Sequence, residues 1–195
     1  MTALRKTVPR RMMVAEFLDW ADREPSGRRW QLRDGVPEAM APTTEPHGAI
    51  LIEFGALIRE HLMRTGSPCR VIGEPGVVPR AGAHENVRIP DLAVICRPPS
   101  RERLTDEPVL LIEILSPSNE KQTRANVWAY TTIPSVRDIV VVDSRAVRAE
   151  LLHRQRDDTW PEQPARLGPD DTLELASIGL ALPLRAIYRT AAVDK

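Results

Sequence analysis

The sequence has no excess charge of either sign, with 27 Lys and Arg against 27 Asp and Glu. A general attraction to polyanions is therefore excluded, and any nucleic-acid contact needs a local basic patch. No run of about 18 apolar residues occurs, which excludes a helical membrane span. Cysteine is scarce. Cys69 and Cys96 have neither metal-ligand nor redox-motif spacing, so they read as small core residues suited to a reducing cytoplasm. Arg10 and Arg11 are followed too soon by Glu16 for the apolar segment of a signal peptide, and the expected location is the cytoplasm. There is no internal repeat and no low-complexity segment.

What is present is an ordinary globular composition: 195 residues, 42% apolar and 28% charged. That length fits one domain with a substantial core. The core is expected over about residues 28–145, with 146–195 supplying C-terminal strands and turns. The 18 prolines favour many short elements over a long helical bundle. Met13, Val14, Phe17, Leu18 and Ala21 have helical spacing. Trp30–Leu32 and Glu38–Met40 read as strands around an Asp34-Gly35 turn. Ile50, Phe54, Leu57, Ile58, Leu62 and Met63 form the stripe of a long helix over 46–64, capped by Thr43 or Thr44 and stopped by Gly66. Cys69–Glu74 and Val77–Pro79 are strand-like around a Pro-Gly turn. Ser118 or Asn119 caps a further helix to about Thr131, and 137–143 is a buried strand. Residues 149–154 read as an outer strand. The expected fold class is α/β with a mixed sheet: a central, mostly antiparallel sheet flanked by helices.

One residue breaks the pattern. Glu113 sits inside Val109-Leu110-Leu111-Ile112-Glu113-Ile114-Leu115, a run that reads as a buried strand. An ionised carboxylate there costs several kcal/mol, by rough estimate, unless a cation or hydrogen bonds offset it. If strands 91–96 and 108–114 form an antiparallel hairpin with Cys96 opposite Pro108, then Asp91 lies opposite Glu113. Their Cβ atoms would be roughly 4.5–5.5 Å apart, and a one-residue slip would separate them. Two carboxylates at that spacing repel unless a divalent cation joins them, and hard oxygen ligands suit Mg²⁺ or Mn²⁺. The bland alternatives are an ion pair of Glu113 with Arg88 or Arg124, and a turn carboxylate at Asp91.

Pro90-Asp91, the apolar strand bearing Glu113, Ser116-Pro117-Ser118 and a helix ending in Tyr130 resemble the PD-(D/E)xK nuclease superfamily, and more closely its bacterial restriction-endonuclease-like branch. Asp34-Gly35, Met40-Ala41-Pro42, His47 and Ile133-Pro134-Ser135-Val136 fit the same pattern over most of the chain. The resemblance implies a restriction-endonuclease-like fold and metal-dependent hydrolysis of nucleic acid, DNA in the first instance, often by homodimers. Asp91 and Glu113 would be the metal ligands and catalytic acids. A lysine should complete the set, but its motif slot is Leu115, and the alternative slot four residues before the tyrosine is Asn126. An amide can orient water but supplies neither charge nor proton. Lys121 is the first substitute and Arg124 the second, although neither shares the face of Asn126 well.

Other residues carry weaker signals. His47 opens the long helix and either approaches substrate or lies on the surface. Glu53 is a further acid or part of a solvated helix face. Glu38 is a shifted stand-in for an acid that relatives carry directly after Asp-Gly, where this chain has Val36. Trp128 and Tyr130 read as packing residues, Ser116 as helix entry, and His61, His84 and His153 as surface residues. Arg97, Arg101 and Arg103 are the best local basic patch, interleaved with Glu102 and Asp106. Two rivals to a nuclease remain open. One is a degenerate nuclease fold that binds nucleic acid or protein, and the other is a hydrolase of another phosphoester.

Overall fold

The computed structural model describes residues 11–116 and 119–193; the N-terminal leader reading and the alternative cap Ser118 fall partly or wholly outside them. Helix α1 (Val14–Arg23) is followed by the hairpin β1 (Trp30–Arg33) and β2 (Val36–Ala39) and by the long helix α2 (Glu45–Arg64). Strands β3 (Arg70–Gly73), β4 (Gly76–Val77), β5 (Leu92–Ile95), β6 (Leu104–Thr105) and β7 (Pro108–Leu115) lead to α3 (Glu120–Tyr130). Then come β8 (Asp138–Asp143), β9 (Ala149–His153), β10 (Ala165–Leu167), β11 (Thr172–Leu175), β12 (Leu180–Pro183) and a 3₁₀ turn over Leu184–Tyr188.

The central sheet has six strands in the order β10-β9-β8-β7-β5-β3. All its pairings are antiparallel except β7–β8, whose crossover is made by α3. Alternation along β7 sends Leu110, Ile112 and Ile114 to one face, where they pack with Ile50, Phe54, Ile58 and Leu62 of α2. Leu111 faces the other way, onto Tyr130, Ile133 and Val136 at the end of α3. Glu113 shares that second face, two residues on from Leu111. The sheet is therefore covered on both sides, which explains the continuous apolar runs of β5, β7 and β8.

Local chemistry sets the ends of the elements. Asp34 (φ 47°) and Gly35 (φ 78°) both adopt positive φ, the requirement of a tight two-residue hairpin turn. Gly66 (φ 63°) follows the α2 C-cap Thr65, as a helix-stopping glycine does. Asn119 is the N-cap of α3, but its side chain reaches backward: Oδ1 accepts from the Ser116 N–H at 2.7 Å, and Nδ2 donates to the Ile114 carbonyl at 3.3 Å. That clamp fixes the exit of β7 and so the placement of Glu113.

Several sequence expectations change. Leu173, Leu175, Leu180, Leu182, Leu184, Ile187 and Tyr188 are buried in the same cluster as α2, so the C-terminal turns are core rather than periphery. His61 is buried and its Nε2 lies 2.9 Å from the Ile178 carbonyl, which ties α2 to that C-terminal hairpin. His153 is exposed, as expected of a surface residue, and its Nδ1 lies 2.6 Å from the buried Asp138 Oδ1. Met63 and Trp128 are exposed, at 65% and 66%, and belong to no core. Glu53 is buried and pairs with Arg189 at 2.5 Å, so it is neither a solvated face nor a site acid. β4 forms no hairpin with β3, because it pairs in parallel with β6.

Cys69 and Cys96 are joined by a disulfide, which corrects their reading as unpaired core residues. Arg70 is opposite Ile95 in the β3–β5 ladder, so the two cysteines are the next facing pair. That pairing depends on long-range register and leaves no trace in a spacing of 27 residues. Closing a loop of this size stabilises a fold by about 3 kcal/mol. Reduction with dithiothreitol, or Cys69→Ser, is expected to lower the free energy of urea unfolding by that amount. Equal unfolding curves would show that the bond adds nothing.

Candidate active site

The β5–β7 ladder pairs Leu92 with Ile112, so Asp91 and Glu113, one residue beyond, face each other. A bulge between Val94 and Ile95 places Ile95, not Cys96, opposite Pro108, yet the carboxylates meet as expected. Both are buried, at 7% and 5% exposure.

Each carboxylate is held by the elements around it. Asp91 Oδ2 accepts the Ile114 backbone N–H at 2.6 Å. Asp91 Oδ1 lies 3.2 Å from Nε2 of His47, which the first turn of α2 brings to the end of the sheet. Glu113 Oε1 accepts from Tyr130 Oη at 2.6 Å and from Asn126 Nδ2 at 3.1 Å. Thr123, Asn126 and Tyr130 are at i, i+3 and i+7 and form the buried stripe of α3. Both donors use Oε1, so Oε2 is the oxygen left for a ligand.

Among the described residues, no Lys or Arg pairs with either carboxylate. Arg88 donates to the Leu32 carbonyl at 2.7 Å, and Arg124 is bound to Glu150, so neither ion pair considered for Glu113 forms. Burial, then the neighbouring Asp91 charge, push the Glu113 carboxyl up to about 8, against the pull of Tyr130 and Asn126. The Tyr130 hydroxyl is raised well above its ordinary value by burial and then by Glu113. The site is a carboxylate pair in need of positive charge.

The two acids line a cavity of about 270 Å³. Its wall also includes Arg29, Gln31, His47, Glu74, Ser116, Asn119, Thr123 and Asn126. Arg29 and Glu74 form an ion pair at its edge. Buried polar atoms on Gln31 (Oε1), His47 (Nδ1) and Asn126 (Oδ1) have no hydrogen-bond partner among the described residues. Among the described residues, no three His, Cys, Asp or Glu side chains converge as a ready ligand set. Asp91 and Glu113 can hold a cation as a pair, with water and substrate oxygens completing its shell.

The cationic substitutes lie elsewhere. Lys121 is exposed and absent from the cavity wall. Arg124 faces away from Asn126, as the helical angle required, and lines a second cavity of about 280 Å³ with Arg145, Arg148 and Arg166. There Arg145 and Arg148 share the single carboxylate of Asp143. Arg97 and Arg103 of the proposed basic patch are taken up by Glu102, Asp106 and Asp22. Leu115, in the motif's lysine slot, is buried and lines the second cavity. Glu38 does not reach the acids; it accepts from Gln31 and pairs with Arg33 at 3.3 Å. Sequence reading missed the direct contact of Tyr130 with Glu113, and it missed Gln31 altogether. The only available signal for Gln31 was an amide in a short apolar strand.

Comparison with known proteins bears on the family and the fold. Residues 14–185 match the Uma2 family, described as putative restriction endonuclease. An uncharacterised protein of Synechocystis sp. is 31% identical over 177 residues, which is 89% of this chain and 90% of that protein. The crystal structure of a putative nuclease belonging to DUF820, from Anabaena variabilis, superposes with a TM-score of 0.71 at 19% identity. The match covers 91% of this chain and 97% of that one, and at that identity it speaks for the fold.

Proposed function

From the premise that this chain belongs to the Uma2 family of restriction-endonuclease-like proteins, we propose that it is a nuclease that hydrolyses nucleic-acid phosphodiesters with Mg²⁺ or Mn²⁺ held by Asp91 and Glu113. The observation that carries the reading is the facing, buried pair of carboxylates, with no Lys or Arg paired to either among the described residues. Their donor set, carboxylate oxygens, fits a hard cation.

A divalent ion bound there would polarise the phosphate and lower the pKa of the attacking water. The protein's own part is orientation. His47 and the Ile114 N–H fix the two oxygens of Asp91. Tyr130 and Asn126 hold Oε1 of Glu113, so that Oε2 points to a ligand without a rotamer search. Asn126 takes the lysine's place and can orient a water, but no residue at that position delivers charge to the leaving group. The expected consequence is a slow nuclease.

The rival is a binding module that kept the fold without the chemistry, and the lysine's absence favours it. Fluorescence anisotropy with single- and double-stranded DNA separates the two. Under the nuclease reading, Mn²⁺ tightens DNA binding about tenfold in wild type, and Asp91→Asn removes that gain. Affinity that is independent of Mn²⁺ and unchanged in Asp91→Asn would assign the protein to the binding class.

A further inference from the structure

We propose that the carbonyl oxygens of Gln31 and Asn126 are outer-shell acceptors for the water carried into the cavity by a hydrated divalent cation. This rests on the cation site proposed for Asp91 and Glu113 and extends it to residues that touch the ion's water rather than the ion.

The two amides share one arrangement. Gln31 is fully buried on β1, and its Nε2 donates to Glu38 Oε2 at 3.1 Å directly across the β1–β2 ladder. Arg33 lies 3.3 Å from the same oxygen and holds that carboxylate in place. Asn126 Nδ2 likewise donates to Glu113 Oε1. With Glu113 ionised, as a bound cation requires, turning either amide over would set a carbonyl oxygen against a carboxylate oxygen, so each carboxylate dictates the orientation of its amide. The carbonyl ends are what remain. Both residues line the cavity of the paired acids, and both carbonyl oxygens are buried without a partner among the described residues.

A buried acceptor left unsatisfied costs about 1–3 kcal/mol, so a pair of them in one cavity calls for a donor. The donor must also suit a wall that already holds two carboxylates. Water on a divalent cation meets both needs: its protons are polarised outward, and Mg²⁺ usually keeps several waters when carboxylates bind it. Partners one layer out from the ligands set their orientation and alter metal affinity about 10–100-fold. Gln31 is thus a positioning residue, and Glu38 and Arg33 are its supports.

Calorimetric titration of the full chain with MgCl₂ and with CaCl₂ tests the assignment, using wild type, Gln31→Met and Glu38→Ala. Gln31→Met, similar in volume but without the acceptor, is expected to weaken Mg²⁺ about tenfold while Tm is maintained. Ca²⁺ takes its oxygens directly, so its affinity should move much less. A merely structural role would weaken both ions together or lower Tm. Equal Mg²⁺ affinity in wild type and Gln31→Met would overturn the assignment. If Gln31→Met does not fold, the half-buried Glu38→Ala decides, because it frees the amide. Selective weakening of Mg²⁺ then supports the role, and unchanged affinity overturns it. Absence of Mg²⁺ and Ca²⁺ binding in wild type would overturn the cation site itself, an outcome distinct from the others.

Discussion

Glu113→Gln raises the stability of the metal-free protein at pH 9 and leaves it nearly unchanged at pH 5. The sign follows from the carboxyl's value of about 8 in the folded chain against an ordinary 4.5. Between those two values the folded chain holds a proton that the unfolded chain has released, so stability falls as pH rises through that window. Above pH 8 the penalty is complete, roughly 3–5 kcal/mol as an upper range. Glutamine imitates the protonated acid. Its carbonyl can still accept from Tyr130 and Asn126, and its amide can donate toward Asp91. The substitution should therefore raise Tm in excess EDTA at pH 9 by about 6–12 °C, with convergence at pH 5. Adding Mn²⁺ should reverse the order, because only wild type then gains binding energy. Parallel Tm profiles from pH 5 to 9 would mean that Glu113 is ordinarily solvated or already paired.

Asn126→Lys is the second large effect. The side chain of residue 126 already reaches Glu113, since Asn126 Nδ2 stands 3.1 Å from Oε1. An ammonium at this position brings opposite charge to a buried carboxylate, so the Glu113 pKa should fall from about 8 toward its ordinary range. The same charge lies where the reacting phosphate would enter. Stabilising developing negative charge and carrying a proton are each worth about 100-fold or more in rate. DNA cleavage with Mn²⁺ should rise at least tenfold over wild type, with its pH midpoint shifted to lower pH. An unchanged rate would mean that another group already supplies the charge, or that this cavity is not where phosphate reacts.

The legible parts of this protein were those written in local pattern. The apolar run from Val109 to Leu115 announced a buried strand, and Glu113 stood out within it as an unexplained expense. The Asp34-Gly35 turn, the α2 stripe and Gly66 followed from backbone preference and helical period. Register placed Asp91 opposite Glu113 even though the bulge at Val94 and Ile95 was invisible, because the bulge lies on the far side of the pairing. What could not be read depended on which distant residues fold together. Gln31 matters through Glu38 across a ladder and through a cavity wall built by α2 and α3. The Cys69–Cys96 bond needs the β3–β5 register. The acids interleaved with Arg97 were visible in the sequence, but Asp22, which folding brings against Arg103 from 81 residues away, was not.

The absence of lysine beside Glu113 gives the structure its particular character. The lysine that the resemblance implies has no counterpart beside Glu113 among the described residues; Tyr130 and Asn126 donate to Glu113, and His47 lies 3.2 Å from Asp91. In the proposed reading a divalent cation replaces the proton that Glu113 holds, and metal occupancy, fold stability and nuclease activity are then expected to move together. Mutations that relieve the repulsion stabilise the chain and remove its use, the expected trade-off at a functional site.

The account's central claim is tested most directly by Mn²⁺-dependent cleavage of mixed single- and double-stranded DNA, comparing wild type with Glu113→Gln purified identically. Because the variant is expected to be at least as stable as metal-free wild type, loss of cleavage cannot be assigned to unfolding. The account predicts slow cleavage by wild type, dependent on Mn²⁺, and none by the variant. Equal cleavage by both proteins, or none by either, would contradict it.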